Sequence, residues 1–173
     1  MPKLIDKQGQ LLDNPWVLVS KDATLEQALA ETSQHLLVHV ALWNAHKDEL
    51  RNSGRAIAVW LDSSDQADAI AADLPALPLV ALNFPTFMDG RSYSTAVTLR
   101  LHHKYEGEIR AIGDVLRDQL FYMRRCGFST FDLKDSVKLE DAQKGLHDYT
   151  TNYQSTVEEP LPLFRRRETS AAV

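Results

Sequence analysis

Short apolar runs alternate along the chain with segments whose apolar positions recur at helical spacing. Residues 16–19, 35–42, 56–61 and 79–84 are rich in Val, Leu, Ile, Ala and Trp and read as buried strands, as do 108–112 and 128–133. Asp22 and Thr24 offer caps for a short helix over 25–30, because their side-chain oxygens can take up free backbone N–H groups. A helix over 43–52 stops near Gly54, and Ser63 or Ser64 can cap an Ala-rich helix running to Leu74. Residues 92–104 fit two periods. Val97, Leu99 and Leu101 alternate as in a strand, Tyr93, Val97 and Leu101 repeat every fourth position as in a helix, and the length favours the helix. Gly113 and Asp114 turn into a helix with Leu116, Leu120 and Met123 on its apolar stripe, Asp114 as its cap and Gly127 as its stop. A last helix is expected over 138–149, and two apolar runs around Gly9 predict an N-terminal hairpin over 3–12.

A strand followed by a helix, repeated about five times, predicts a single-domain α/β fold with a mostly parallel sheet, since parallel neighbours need long crossovers. The alternative is a partial (β/α) barrel, because a full barrel typically takes about 200 residues or more and this chain has 173. The domain is expected over 1–155. The tail, 156–173, carries Pro160, Pro162 and three consecutive arginines from Arg165 to Arg167, and is expected to wrap or extend. A sheet of few strands often completes its burial by self-association, so a homodimer is the expected assembly.

Composition adds exclusions. At 44% hydrophobic and 25% charged residues the chain is ordinary for a globular domain, which rules out disorder over most of its length. The net charge of −5 hides an asymmetry: residues 1–90 hold 6 Lys/Arg against 12 Asp/Glu, whereas 91–173 hold 13 against 12. Anion-binding chemistry is therefore expected in the second half, and non-specific attachment to nucleic acid or an anionic membrane is not expected. The single cysteine, Cys126, excludes an internal disulfide and a Cys-based zinc or iron–sulfur site held by this chain alone. With no signal-like apolar core at the N-terminus and no apolar stretch of spanning length, a cytoplasmic location is expected.

Two loops follow strands and concentrate polar chemistry. The first, 83–94, supplies Asp89 as an acceptor, Gly90 for close backbone approach, Arg91 as a two-pronged anion clamp, and hydroxyls from Ser92, Tyr93 and Ser94. A helix starting there would aim free N–H groups at an anion. The competing reading is that Asp89 or Ser92 only caps the helix while Arg91 lies in solvent. The second, 110–119, supplies Gly113, Asp114, Arg117 and Gln119; Arg117 and Arg124 can share one helix face, or Arg117 can make only local ion pairs with Asp114 and Asp118. Asp89 and Asp114 are the candidate general bases. No Gly-Lys-Ser/Thr phosphate loop, Gly-x-Gly-x-x-Gly or Gly-x-Ser-x-Gly is present, and no flavin, nicotinamide, haem or iron–sulfur signature appears. His35 with His39, and His102 with His103, lack carboxylates at metal-ligand spacing. Cys126, near a helix C-terminus, reads as a buried inert thiol.

The runs Phe84-Pro-x-Phe-x-Asp-Gly-Arg-x-Tyr-Ser94 and Gly107-Glu-x-Arg-Ala-x-Gly-Asp-Val-Leu-Arg-Asp-Gln-Leu120, with Arg125-Cys-Gly-Phe128, Tyr153-Gln154 and Pro162-Leu-Phe-Arg-Arg-Arg167, closely resemble a bacterial family built on a domain of unknown function. Its members are often labelled oxidoreductases of sulfite reduction. The resemblance implies a role in assimilatory sulfite metabolism, as an enzyme or an accessory factor, through members encoded beside sulfite reductase. It implies no catalytic residue and no cofactor. Its motifs fall on both polar loops, which favours one oxyanion or phosphorylated-ligand site built from Asp89, Arg91, Tyr93 and Ser94 beside Gly113, Asp114, Arg117 and Gln119. The alternative it leaves open is a non-catalytic partner of sulfite reductase or a related enzyme, docking through Arg124, Arg125 and the arginines of the tail.

Overall fold

The computed structural model describes residues 3–149 and 152–170, with side chains through Arg166. A hairpin of β1 (Lys3–Asp6) and β2 (Leu11–Leu12) precedes β3 (Val17–Leu18), and then strands and helices alternate: α1 (Leu25–Ala30), β4 (His35–His39), α2 (Val40–Ala45), α3 (Lys47–Asn52), β5 (Ala56–Leu61), β6 (Leu79–Phe84), α4 (Arg91–Leu101), β7 (Glu108–Gly113), α5 (Leu120–Cys126), β8 (Thr130–Leu133), α6 (Leu139–Gly145) and α7 (Leu163–Ser170). All eight strands belong to one sheet in the order β2-β1-β8-β7-β6-β5-β4-β3. The six from β3 to β8 are parallel and sit side by side in chain order, while β1 joins β8 antiparallel.

Sequential parallel strands joined by crossovers of one hand place every connection on the same side of the sheet. The two faces accordingly differ. One face, with Val38, Val59, Leu82, Ile109 and Phe131, packs on the helices in the main core. The other carries Leu37, Ala58, Trp60, Ala81 and Ile112, with Trp16 against them and no helix. It is covered by curvature. Leu12 and Val17 lie on strands at opposite edges, yet five residues of extended chain span at most roughly 18 Å, whereas seven strand spacings in a flat sheet amount to about 34 Å. The sheet is therefore curled into a half-barrel, the partial-barrel form of the expected parallel sheet, and residues 13–16 cross its open side. There Asn14 Oδ1 accepts from Arg110 Nη1 at 2.8 Å, and Trp16 meets His35 edge-on. Arg110, 3% exposed on the concave face, is also held by Glu108 at 2.8 Å.

Several expected elements change on folding. Strand β4 ends at His39 rather than at residue 42, because His39 Nδ1 accepts the Ala41 N–H and caps α2. The single helix expected over 43–52 is two, broken at His46. The Ala-rich helix is replaced by two 3₁₀ turns, Ala67–Ile70 and Leu74–Ala76; Pro75 lacks the N–H a helix needs, and Asp73 turns inward to bond Trp43. The segment 92–104 is helical as far as Leu101, within α4, and leaves the helix over 102–104. Helix α5 starts six residues after Asp114, behind a 3₁₀ turn at Arg117–Gln119 in which Gln119 Oε1 accepts the N–H of the preceding Leu116, so Asp114 is not its cap; Gly127 stops it with φ 101°. The last helix of the core is shorter than expected, Leu139–Gly145. The tail wraps back, with the Val157 N–H bonded to the Arg125 carbonyl and Glu158 paired to Lys7 and Arg124, before forming α7. The side chain of Arg167 and residues 171–173 lie outside the described residues.

Candidate functional site

Parallel strands gather ligand-binding loops at their C-terminal ends. Here β4, β5 and β6 end in or beside His39, Asp62 and Asn83, and these side chains form one hydrogen-bonded network. Asp62 accepts from Lys21 Nζ at 2.6 Å and from Asn83 Nδ2 at 3.0 Å. Burial pushes the Asp62 carboxyl up, but the donors from Lys21 and Asn83 outweigh it and hold the group below its ordinary value. His39 is 2% exposed. Its Nδ1 accepts the Ala41 N–H at 3.2 Å, so Nε2 carries the ring proton and donates to Asp65 at 3.0 Å. Asp65 also takes the Asp62 N–H at 2.8 Å.

Beside this network lies a cleft of about 280 Å³ between residues 63–68 and α4. Arg91, the first residue of α4, stands on its rim. Its Nε and Nη2 donate to the two oxygens of Asp89 at 2.9 and 2.6 Å, and Nη2 also donates to Ser63 Oγ at 2.8 Å. The Arg91 guanidinium, with Ser63 beside it, holds the Asp89 carboxyl well below the usual carboxylate range. The Arg91 side chain remains 62% exposed, and Ser94, Thr95 and Thr98 add hydroxyls along the same wall. Asp65 and Asp68 line the opposite wall. The N-cap residue of α4 is Gly90, which has no side chain to offer. Asp89 Oδ1 accepts the N–H of Arg91, the first helical residue, at 3.2 Å, so Asp89 does hold the helix start, whereas Ser92 does not cap it. Ser92 instead turns inward and donates to the Asn83 carbonyl at 2.6 Å, tying α4 to β6. Tyr93 packs edge-on between Phe84 and Tyr122. Burial pushes its phenol up to about 12, against an opposing bond with Gln119.

The second loop occupies a different place. Gly113 has φ 92°, and a Cβ there would fall 2.5 Å from Asn83 Oδ1 and from the Phe84 carbonyl oxygen, so the close approach of β7 to β6 requires glycine. Asp114 accepts from Lys134 Nζ at 2.5 Å and from the Phe87 N–H at 3.0 Å; the Lys134 bond holds its carboxyl below the ordinary value. Asp114 thus joins the first polar loop to the end of β8. Arg117 reaches away to Asp148 at 2.6 Å and Asp118 at 3.0 Å, and lines a separate cleft. Gln119 is buried. The structure therefore brings Asp89, Arg91 and Ser94 together with Ser63, and places Arg117 elsewhere. The residues that sequence reasoning did not single out, Lys21, Asp62, Asp65 and Asn83, are the polar residues at or just past the ends of apolar runs, which is the one signal they carry. Cys126 is buried, and burial pushes its thiol up.

Among the described residues no group of three or more His, Cys, Asp or Glu side chains is placed to hold a metal ion, and no helix is long and apolar enough to cross a membrane. A family model described as a bacterial protein of unknown function (DUF934) matches residues 58–164, more than half of the chain and inclusive of both polar loops. No curated protein matches it.

Proposed function

The chain belongs to DUF934, a bacterial family of unknown function, and from that premise we propose that it serves assimilatory sulfite reduction, as an oxidoreductase or an accessory factor, by binding a small oxyanion in the Arg91 cleft. The observation that carries this reading is the Arg91 guanidinium, held in place by Asp89 and Ser63 at the first turn of α4 and still largely open to solvent. A positioned guanidinium beside hydroxyls suits a tetrahedral or pyramidal oxyanion. The carboxylates of Asp65 and Asp68 across the cleft favour a protonated, singly charged anion, which can donate to them, over a dianion. Thermal unfolding with sulfite, sulfate, phosphate and chloride tests the reading. Sulfite is expected to raise the midpoint in a saturable way and Arg91→Ala to abolish the rise; a rise of equal size in Arg91→Ala, with unaltered sulfite-dependent growth, would reject it.

The alternative role, a non-catalytic partner of sulfite reductase, draws on the half-exposed Leu161 and Phe164 beside the tail arginines, an apolar and basic surface of the kind that interfaces use. Removing residues 160–173 is then expected to abolish co-purification with the enzyme at physiological salt.

A further inference from the structure

Arg125 differs from the arginines around it. Arg91, Arg110, Arg117 and Arg124 each have a carboxylate within ion-pair distance, and Arg100 is engaged by backbone carbonyls. Among the described residues no carboxylate or carbonyl receives the Arg125 guanidinium. Its carbon lies 5.9 Å from the Phe121 ring centre and 5.8 Å from that of Tyr122, and its Nε is buried with no acceptor. A buried guanidinium N–H without an acceptor is a standing cost, and the rest of this half-buried group is left to meet an arriving oxyanion.

Arg125 lines a concave cleft of about 570 Å³ with Arg117, Phe121, Tyr122, Tyr149 and Tyr153. The volume falls in the range of small-molecule sites. Three of its rings are widely exposed, Tyr122 at 51% and Tyr149 and Tyr153 at 68% each; Tyr122 meets Tyr93 and Tyr149 meets Phe121 on one side, and each keeps ring surface open to a planar ligand. The two carboxylates in the cleft, Asp118 and Asp148, both pair with Arg117, which leaves Arg125 as the cation there without a carboxylate partner. Exposed aromatic faces beside an unpaired guanidinium match a planar ring attached to an anionic group. We propose that this cleft is a second binding site, separate from the Arg91 cleft, for an aromatic phosphate with the chemistry of a nucleoside monophosphate.

Calorimetric titration of the full chain with 5′-AMP, adenosine and inorganic phosphate tests this. AMP is expected to bind saturably and more tightly than either fragment. Arg125→Met keeps the apolar stem and is expected to weaken AMP binding about tenfold or more. Tyr153→Ala, at an exposed position, is expected to weaken AMP and adenosine alike by about tenfold, and Arg91→Ala to leave AMP binding unchanged. Absence of saturable AMP binding by the wild type overturns the proposal, as does wild-type affinity in Arg125→Met. Loss of AMP binding in Arg91→Ala would place the ligand in the other cleft and also overturns it. Should Arg125→Met fail to fold by circular dichroism, Tyr153→Ala decides: unchanged AMP and adenosine binding rejects the site.

Discussion

Asp89 shows how one side chain can hold a cation ready for a ligand while shaping the protein's response to acid. Both of its oxygens receive Arg91, and that contact keeps the carboxylate charged far into the acid range. A carboxyl whose folded pKa lies below its unfolded value of about 3.9 stabilises the fold fully above that value and loses the contribution as pH falls toward the folded one. Asp89→Asn is therefore expected to lower the urea midpoint at pH 7, with a gap from the wild type that stays constant down to about pH 5 and narrows below about pH 4. Urea titrations at pH 7 and pH 3 measure it; a gap that widens in acid would contradict the assignment. The Asp89–Arg91 pair was legible in the sequence as chemistry, since the two residues are two apart in a loop after a strand. Its link to Ser63, 28 residues earlier, was not, because only the side-by-side pairing of β5 and β6 brings the two together.

Within elements, tertiary contacts overrode local propensity wherever a polar side chain was needed inside. Asp73 illustrates this. Its carboxylate, 6% exposed, receives the Trp43 indole N–H at 3.0 Å, Lys47 Nζ at 2.5 Å and Arg51 Nη2 at 2.9 Å, fastening α2 and α3 to the turn before β6. Burial alone would push the carboxyl up, and these donors hold it below its ordinary value. A continuous Ala-rich helix over 63–74 would give up this arrangement. Asp73→Ala leaves a buried indole N–H and two cations unpaired, so a loss of about 2–4 kcal/mol is expected in chemical denaturation. Strands were read more reliably than helices because runs such as Val-Ala-Leu at 80–82 are buried on both faces, whereas these helices are short and end where a cap or a buried polar group dictates. His39 was legible as an interior residue of the strand expected over 35–42 but not as a cap, since its acceptor role depends on the turn that follows β4.

For the molecule as a whole, the alternation of strands and helices announced a parallel sheet and left a partial barrel as its alternative; the places of β2 and β3 at opposite edges decide for the curl. The four residues between them hold that curl. Trp16 packs on the concave cluster of Leu37, Trp60 and Ile112, and Asn14 bonds Arg110. Trp16→Ala is expected to lower stability by about 1–3 kcal/mol and to speed exchange of the Trp60 indole N–H, which donates to the Val19 carbonyl at 3.1 Å; hydrogen-exchange NMR reads the second effect directly. The pairing of β1 with β8 also bears on synthesis. Lys3 sits opposite Leu133 and its ammonium bonds the Val137 carbonyl, so β1, made well over a hundred residues before β8, waits for it before it has a neighbour on that side. Contacts so distant in sequence close slowly, and a nascent chain halted before residue 130 keeps its N-terminal hairpin undocked, with the edge of β7 exposed to any other strand nearby.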